Sequence, residues 1–244
     1  GFTAMNMDYR NPLPALTNAT GSGVFDLEKD RIDIKIDQAE MGGMTIVSAD
    51  LGFEEVVAEG KGSVAMDISL EGGLDKIFTY LMTEPIDLKD ALDFDIGQVR
   101  GDTKMRVKLD FPTKKDLAIE EINMDVSGTV NNGYLPAVIQ GLPISGGPFK
   151  VQVNNERYTV SGKGALSGRP VVFDWQEYID STGKPFRHRA KASITVDPEL
   201  RDHFGIDLSS FIEGSAVADL VYTGLPGNKA EVDVSVDASA ARFF

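Results

Sequence analysis

Alternation with a period of two is the feature that most constrains this chain. Ile32, Ile34 and Ile36 are separated by Asp33 and Lys35 within residues 30–37. Val64, Met66, Ile68 and Leu70 repeat the pattern. Met105, Val107, Leu109 and Phe111 do so again, with Arg106, Lys108 and Asp110 between them. Ile122, Met124 and Val126 follow, then Phe149, Val151 and Val153, then Tyr158 and Val160. Ala192, Ile194 and Val196 form another such segment, and Val232, Val234 and Val236 the last. Successive strand side chains point to opposite faces, so every segment has one dry and one wet face. Buried parallel strands read instead as unbroken apolar runs joined by crossover helices. The expected fold is mainly β, an antiparallel meander.

Turn chemistry agrees with short connections. Gly42–Gly43, Asn131–Asn132–Gly133, Gly146–Gly147 and Asn154–Asn155 are expected to turn the chain. Two short helices are expected. Leu74, Ile77, Phe78, Leu81 and Met82 share one helical face, and Pro85 stops the run, which predicts a helix over residues 74–82. Asp197, Pro198 and Glu199 read as an N-cap, a proline at the first helical position and an acidic first turn. That helix should run into His203, with a short turn over residues 208–212. Residues 101–112 (GDTKMRVKLDFP) resemble residues 214–226 (GSAVADLVYTGLP), and residues 62–70 resemble both. Repeated strand pairs suggest an elongated stack, with possible sub-repeats over 1–98 and 99–244 of one continuous segment.

Composition removes several function classes. The 244 residues carry a formal net charge of −14, the reverse of the basic balance that nucleic acid selects. An acidic surface also disfavours flat docking on anionic headgroups. There is no Cys, so disulfides, thiolate metal sites and cysteine nucleophiles are excluded. With two His, His188 and His203, a histidine-based centre has few candidates.

The remaining motifs have plain readings. Gly162, Gly164 and Gly168 fit neither the dinucleotide fingerprint nor the phosphate loop, and a hairpin turn accounts for them. Arg187, His188 and Arg189 read as an exposed strand start. His203 reads as a helix C-terminal residue that complements the dipole. Asp33, Asp37, Asp67, Asp93, Asp95, Asp125, Asp233 and Asp237 alternate with apolar residues; such acids keep a wet face soluble and discourage edge pairing. Trp175 reads as a strand anchor beside Phe173. No catalytic residue, cofactor or metal ligand is expected, and the chain is not read as an enzyme.

Residues 135–153 (LPAVIQGLPISGGPFKVQV) lead into residues 158–175 (YTVSGKGALSGRPVVFDW). This order of leucine-proline turns, a strand, then Gly162, Gly164, Leu166, Gly168 and Pro170 before an apolar strand ending in Trp175, resembles the YhdP-like branch of the AsmA superfamily. The resemblance spans roughly residues 60–244 and has no single diagnostic motif. It implies an internal piece of a longer protein, anchored in the inner membrane of a Gram-negative bacterium and extended through the periplasm. It also implies a curled β-groove that passes phospholipid towards the outer membrane, and possible partners in the periplasm or outer membrane.

A one-sided sheet must do something with its dry face. It can close on a second sheet as a sandwich, which suits a structural or interaction module of the cell envelope. It can instead curl into an elongated, twisted gutter or taco-like groove that holds acyl chains. Each buried CH₂ is worth about 0.8 kcal/mol, so interchangeable aliphatic side chains would hold lipid without any polar constellation. On the groove reading the lining is Ile32, Ile34, Ile36, Val64, Met66, Ile68, Met105, Val107, Leu109, Ile122, Met124, Val126, Phe149, Val151, Val153, Ile194, Val232, Val234 and Val236.

Overall fold

A computed structural model describes residues 1–57, 62–87, 95–118, 121–207, 209–227 and 229–244. The N-terminal strands are β1 (Phe2–Met7), β2 (Leu16–Asp26), β3 (Arg31–Met41), β4 (Met44–Glu54) and β5 (Ser63–Gly73). Helix α1 (Leu74–Leu81) and a 3-10 turn (Ile96–Gln98) then lead into β6 (Arg100–Pro112). Long hairpins follow: β7 (Asn123–Ile139), β8 (Leu142–Asn154), β9 (Arg157–Leu166), β10 (Arg169–Tyr178) and β11 (His188–Val196). Helix α2 (Pro198–His203) precedes β12 (Ile212–Glu213), β13 (Ala216–Leu225), β14 (Lys229–Asp237) and β15 (Arg242–Phe243).

Thirteen strands form one antiparallel sheet in the order β1 to β11, then β13 and β14, while β12 pairs only with β15. The order is that of a meander, and its ends do not meet, so the sheet is open. A sandwich needs a second sheet of comparable size; the other sheet among the described residues has two strands.

Local chemistry explains the elements. Ser167 and Gly168 turn β9 into β10 with φ of 49° and 83°, the double positive-φ geometry of a two-residue hairpin. Gly42–Gly43 and Asn154–Asn155 also turn as expected. In α2 the Asp197 side chain accepts from the Leu200 backbone N–H, and Pro198 opens the helix.

Three expectations need correction. Asn131–Asn132–Gly133 and Gly146–Gly147 do not reverse the chain. They lie inside β7 and β8, which keep one register here, from Val130 opposite Phe149 to Gly133 opposite Gly146. Each strand shifts instead against its outer neighbour, β7 against β6 between Asp102 and Arg100, and β8 against β9 between Gly146 and Phe149, the irregularity of a β-bulge. The reversal between β7 and β8 falls instead at Gln140–Gly141, with φ of 47° and 80°. Asp95 is no strand residue: its carboxylate caps the 3-10 turn by accepting from Gly97 N–H at 2.9 Å. The turn expected over 208–212 covers residues 209–211; Leu208, like Asp93, lies outside the described residues.

Cross-strand register shows how the two faces arise. Phe25, Ile32, Phe53, Val64 and Phe111 stand opposite one another on successive strands. So do Ile34, Leu51, Met66, Leu109 and Met124. Ile36, Ala49, Ile68, Val107, Val126 and Val153 form a third row. The other face carries the charges. There Arg106 grips Asp67 through two hydrogen bonds of 2.7 and 2.6 Å, which holds the Asp67 carboxyl below its usual range. Arg31 joins Asp33 and Glu54, and Lys104 reaches Glu71 at 2.9 Å. These pairs are solvent-exposed and contribute ~1 kcal/mol or less each.

Candidate functional site on the apolar face

The apolar rows are covered at two places. At one, α1 and α2 lie against the sheet. Leu74, Val99 and Leu200 bury themselves with Val130, Phe149, Leu166, Val171 and Ile194, and Phe78 and Phe204 pack beside them. Phe149 sits here because glycines make room for its ring. A Cβ on Gly162 would come within 2.8 Å of that ring, and one on Gly164 within 3.0 Å. The glycines of the expected hairpin motif therefore serve packing. At the other place Leu16, Ala19, Ile36, Ala39, Ile46 and Ala49 form a second cluster.

Between the clusters the face is open. Met66, Val107, Leu109, Met124, Val126 and Val153 belong to neither cluster, and all remain part-exposed. The total accessible surface agrees. The chain exposes 14980 Å² for 26.4 kDa. A compact monomer of that mass exposes roughly 10,600 Å², so the excess is about 40%.

The structure places the expected lining residues as follows. Ile32 through Phe149, Val151, Val153 and Ile194 all share the apolar face, with the exception of Ile122, which lies just before β7. Ile36, Val64, Phe149 and Ile194 are buried there. Val232, Val234 and Val236 share the face too, opposite Tyr222, Leu220 and Ala218, but β14 is a free edge. They are more than half exposed, at 59, 57 and 57%.

Reading for aliphatic residues missed the polar members of this face. The third row, aliphatic as far as Val153, continues as Tyr158, Glu177, His188 and Gly224. The Tyr158 hydroxyl donates to Glu177 Oε2 at 2.5 Å. Burial, then this bond to the carboxylate, push that hydroxyl's pKa above its usual range. His188 is not the exposed strand start expected of it. Its ring stacks between Trp175, at 5.2 Å, and Tyr222, at 5.4 Å. Gly224 leaves the space that this ring fills, since a Cβ there would lie 2.3 Å from Nε2. Trp175 thus anchors a stack across β10, β11 and β13, while Phe173 packs separately on Phe149 at 5.4 Å. The signal was present in the sequence: Glu177 stands in phase with Val171, Phe173 and Trp175. His203 lies apart, with Nε2 3.2 Å from the Gln140 carbonyl.

A depression of about 600 Å³ is lined by Arg31, Asp50, Lys108 and Asp125 of the charged face, by Gly52 and Ala65, and by Leu51, Met66, Leu109 and Met124 of the apolar rows. Arg31 and Lys108 are held there by Asp33, Glu54 and Asp67.

Comparison with family models, with curated proteins and with solved structures finds no match to this chain. Among the described residues, no helix is long and apolar enough to cross a membrane.

Proposed function

We propose that this chain is a periplasmic segment of a bridge-like lipid transport protein and holds phospholipid acyl chains on its apolar face. The full-length protein is anchored in the inner membrane of a Gram-negative bacterium on this reading. The observation that carries it is the open middle of the face. Met66, Val107, Leu109, Met124, Val126 and Val153 form a contiguous part-exposed strip between two sealed clusters. Monomeric proteins rarely leave such strips uncovered unless something binds them.

The strip suits sliding rather than capture. Its side chains are aliphatic or Met, with no charge among them, so an acyl chain meets nearly equal contact energy at each strand. Met66 and Met124 adapt readily to a chain in changing positions. The wet face, with its cross-strand ion pairs, keeps the opposite side hydrated. The reading also agrees with the resemblance carried by residues 135–175.

The test is native mass spectrometry of protein purified from cells, followed by solvent extraction of what it carries. Phospholipid in near-stoichiometric amount or above is the expected result. Protein that emerges from the same purification without lipid, folded and monodisperse, contradicts the proposal.

A further inference from the structure

The row that turns polar on the apolar face deepens this reading and rests on it. Tyr158, Glu177 and His188 stand opposite one another near strand ends. Tyr158 is one residue into β9, Glu177 one residue from the end of β10, and His188 opens β11. The other end of β11 leads into α2, so the polar row lies at the rim away from the helices. Val153, the last residue of the open strip, stands opposite Tyr158, and Tyr158 opposite Glu177, so the strip ends two strand spacings, about 10 Å, from Glu177. A lipid with its tails along the strip from Val153 towards Val107 would therefore bring its headgroup to Glu177.

The unused bonding capacity of this row is specific. Glu177 has one oxygen bound to Tyr158; its Oε1 lies 3.8 Å from Arg187 Nε, beyond hydrogen-bond range. The Glu177 side chain is 18% exposed and that of Arg187 59%. Neither ring nitrogen of His188 has a hydrogen-bond partner among the described residues, although its ring is fixed on both faces. Trp175 and Tyr222 flank it, amphipathic rings of the kind that sit where an apolar phase meets water.

We propose that Glu177, His188 and Arg187 form a headgroup site for a zwitterionic phospholipid with a primary ammonium. The ammonium donates to Glu177 Oε1. The phosphate accepts from Arg187 and from His188. An anionic headgroup without a cation would leave Glu177 unanswered beside its own negative charge. A quaternary ammonium has no N–H to donate to Oε1.

The probe is a vesicle of equimolar phosphatidylethanolamine and phosphatidylglycerol. Lipid taken up by the 244-residue chain is extracted and its two classes measured. The net charge of −14 disfavours uptake of the anionic phosphatidylglycerol by itself, so the comparison between variants decides. Glu177→Gln keeps an acceptor for Tyr158 and removes the charge. It should lower the ethanolamine-to-glycerol ratio about five-fold, equivalent to ~1 kcal/mol. Arg187→Gln, at an exposed position, should lower uptake of both classes and leave the ratio unchanged. A ratio that survives Glu177→Gln, with thermal unfolding unaltered, overturns the headgroup site while acyl-chain binding stands. Failure of the unmodified protein to take up either lipid overturns both.

Discussion

The same substitution at two positions on one face separates an open groove from a sealed core. Val107 and Val130 both face the apolar side, on neighbouring strands. Val130 is 4% exposed, beneath Val99 and beside Phe149. Val107 is part-exposed and outside both clusters. Val→Thr preserves shape and exchanges a methyl for a hydroxyl. At Val130 that hydroxyl is dry. An unsatisfied buried hydroxyl costs about 1–3 kcal/mol, and the lost methyl about a further 0.8 kcal/mol. Val130→Thr should therefore destabilise by about 2–4 kcal/mol. At Val107 water reaches the hydroxyl, so Val107→Thr should cost about 0.5 kcal/mol. Urea unfolding followed by circular dichroism reads both as midpoint shifts at unchanged slope. Equal losses at the two sites would show that the strip around Val107 is sealed, and would refute the open-face argument.

Three further outcomes are expected. A Cβ on Gly164 would stand 2.4 Å from the Ser145 carbonyl oxygen, which is backbone and cannot swing away. Gly164→Ala should thus cost about 1–3 kcal/mol and lower Tm by several degrees in a thermal melt. Gly23→Ala, whose nearest atom is 3.7 Å away, should stay within about 0.5 kcal/mol. Arg169 holds the Asp197 carboxyl below the usual range, and that carboxylate also caps α2. A depressed folded pKa stabilises above the unfolded value of about 3.9 and is lost as pH falls through the folded one. Acid unfolding of Asp197→Asn should accordingly lose less stability than the parent below about pH 4, while its stability at neutral pH falls by about 1 kcal/mol or less through the lost ion pair with Arg169, since Asn still caps α2.

How much of this was legible beforehand depended on range. Strands and their dry faces follow from a local period, so Ile32–Ile36 and Met105–Phe111 could be read directly. The α2 start was equally local, since Asp197, Pro198 and Glu199 act within one turn. The bulge at Asn131–Gly133 was not. Asn and Gly announce positive φ, but only the pairing with β6 and β8 decides whether the chain reverses or bulges within a strand. The polar row was half legible, because Glu177 and His188 keep the phase of the apolar residues around them. Their meeting with Tyr158 required the register of three strands. Whether the face is covered was least legible of all. It depends on where α1 and α2 come to rest, and nothing in the alternation of Met66 or Val107 encodes that.

The most direct test of an acyl-chain path is site-specific photocrosslinking in cells. A photoreactive side chain at Val107 or Val153 faces the open apolar strip; one at Lys108 or Gln152, a residue away, faces the charged side. Phospholipid captured at Val107 and Val153, and not at Lys108 or Gln152, is the expected result. Capture at none of the four positions, or equally at all of them, would contradict the account.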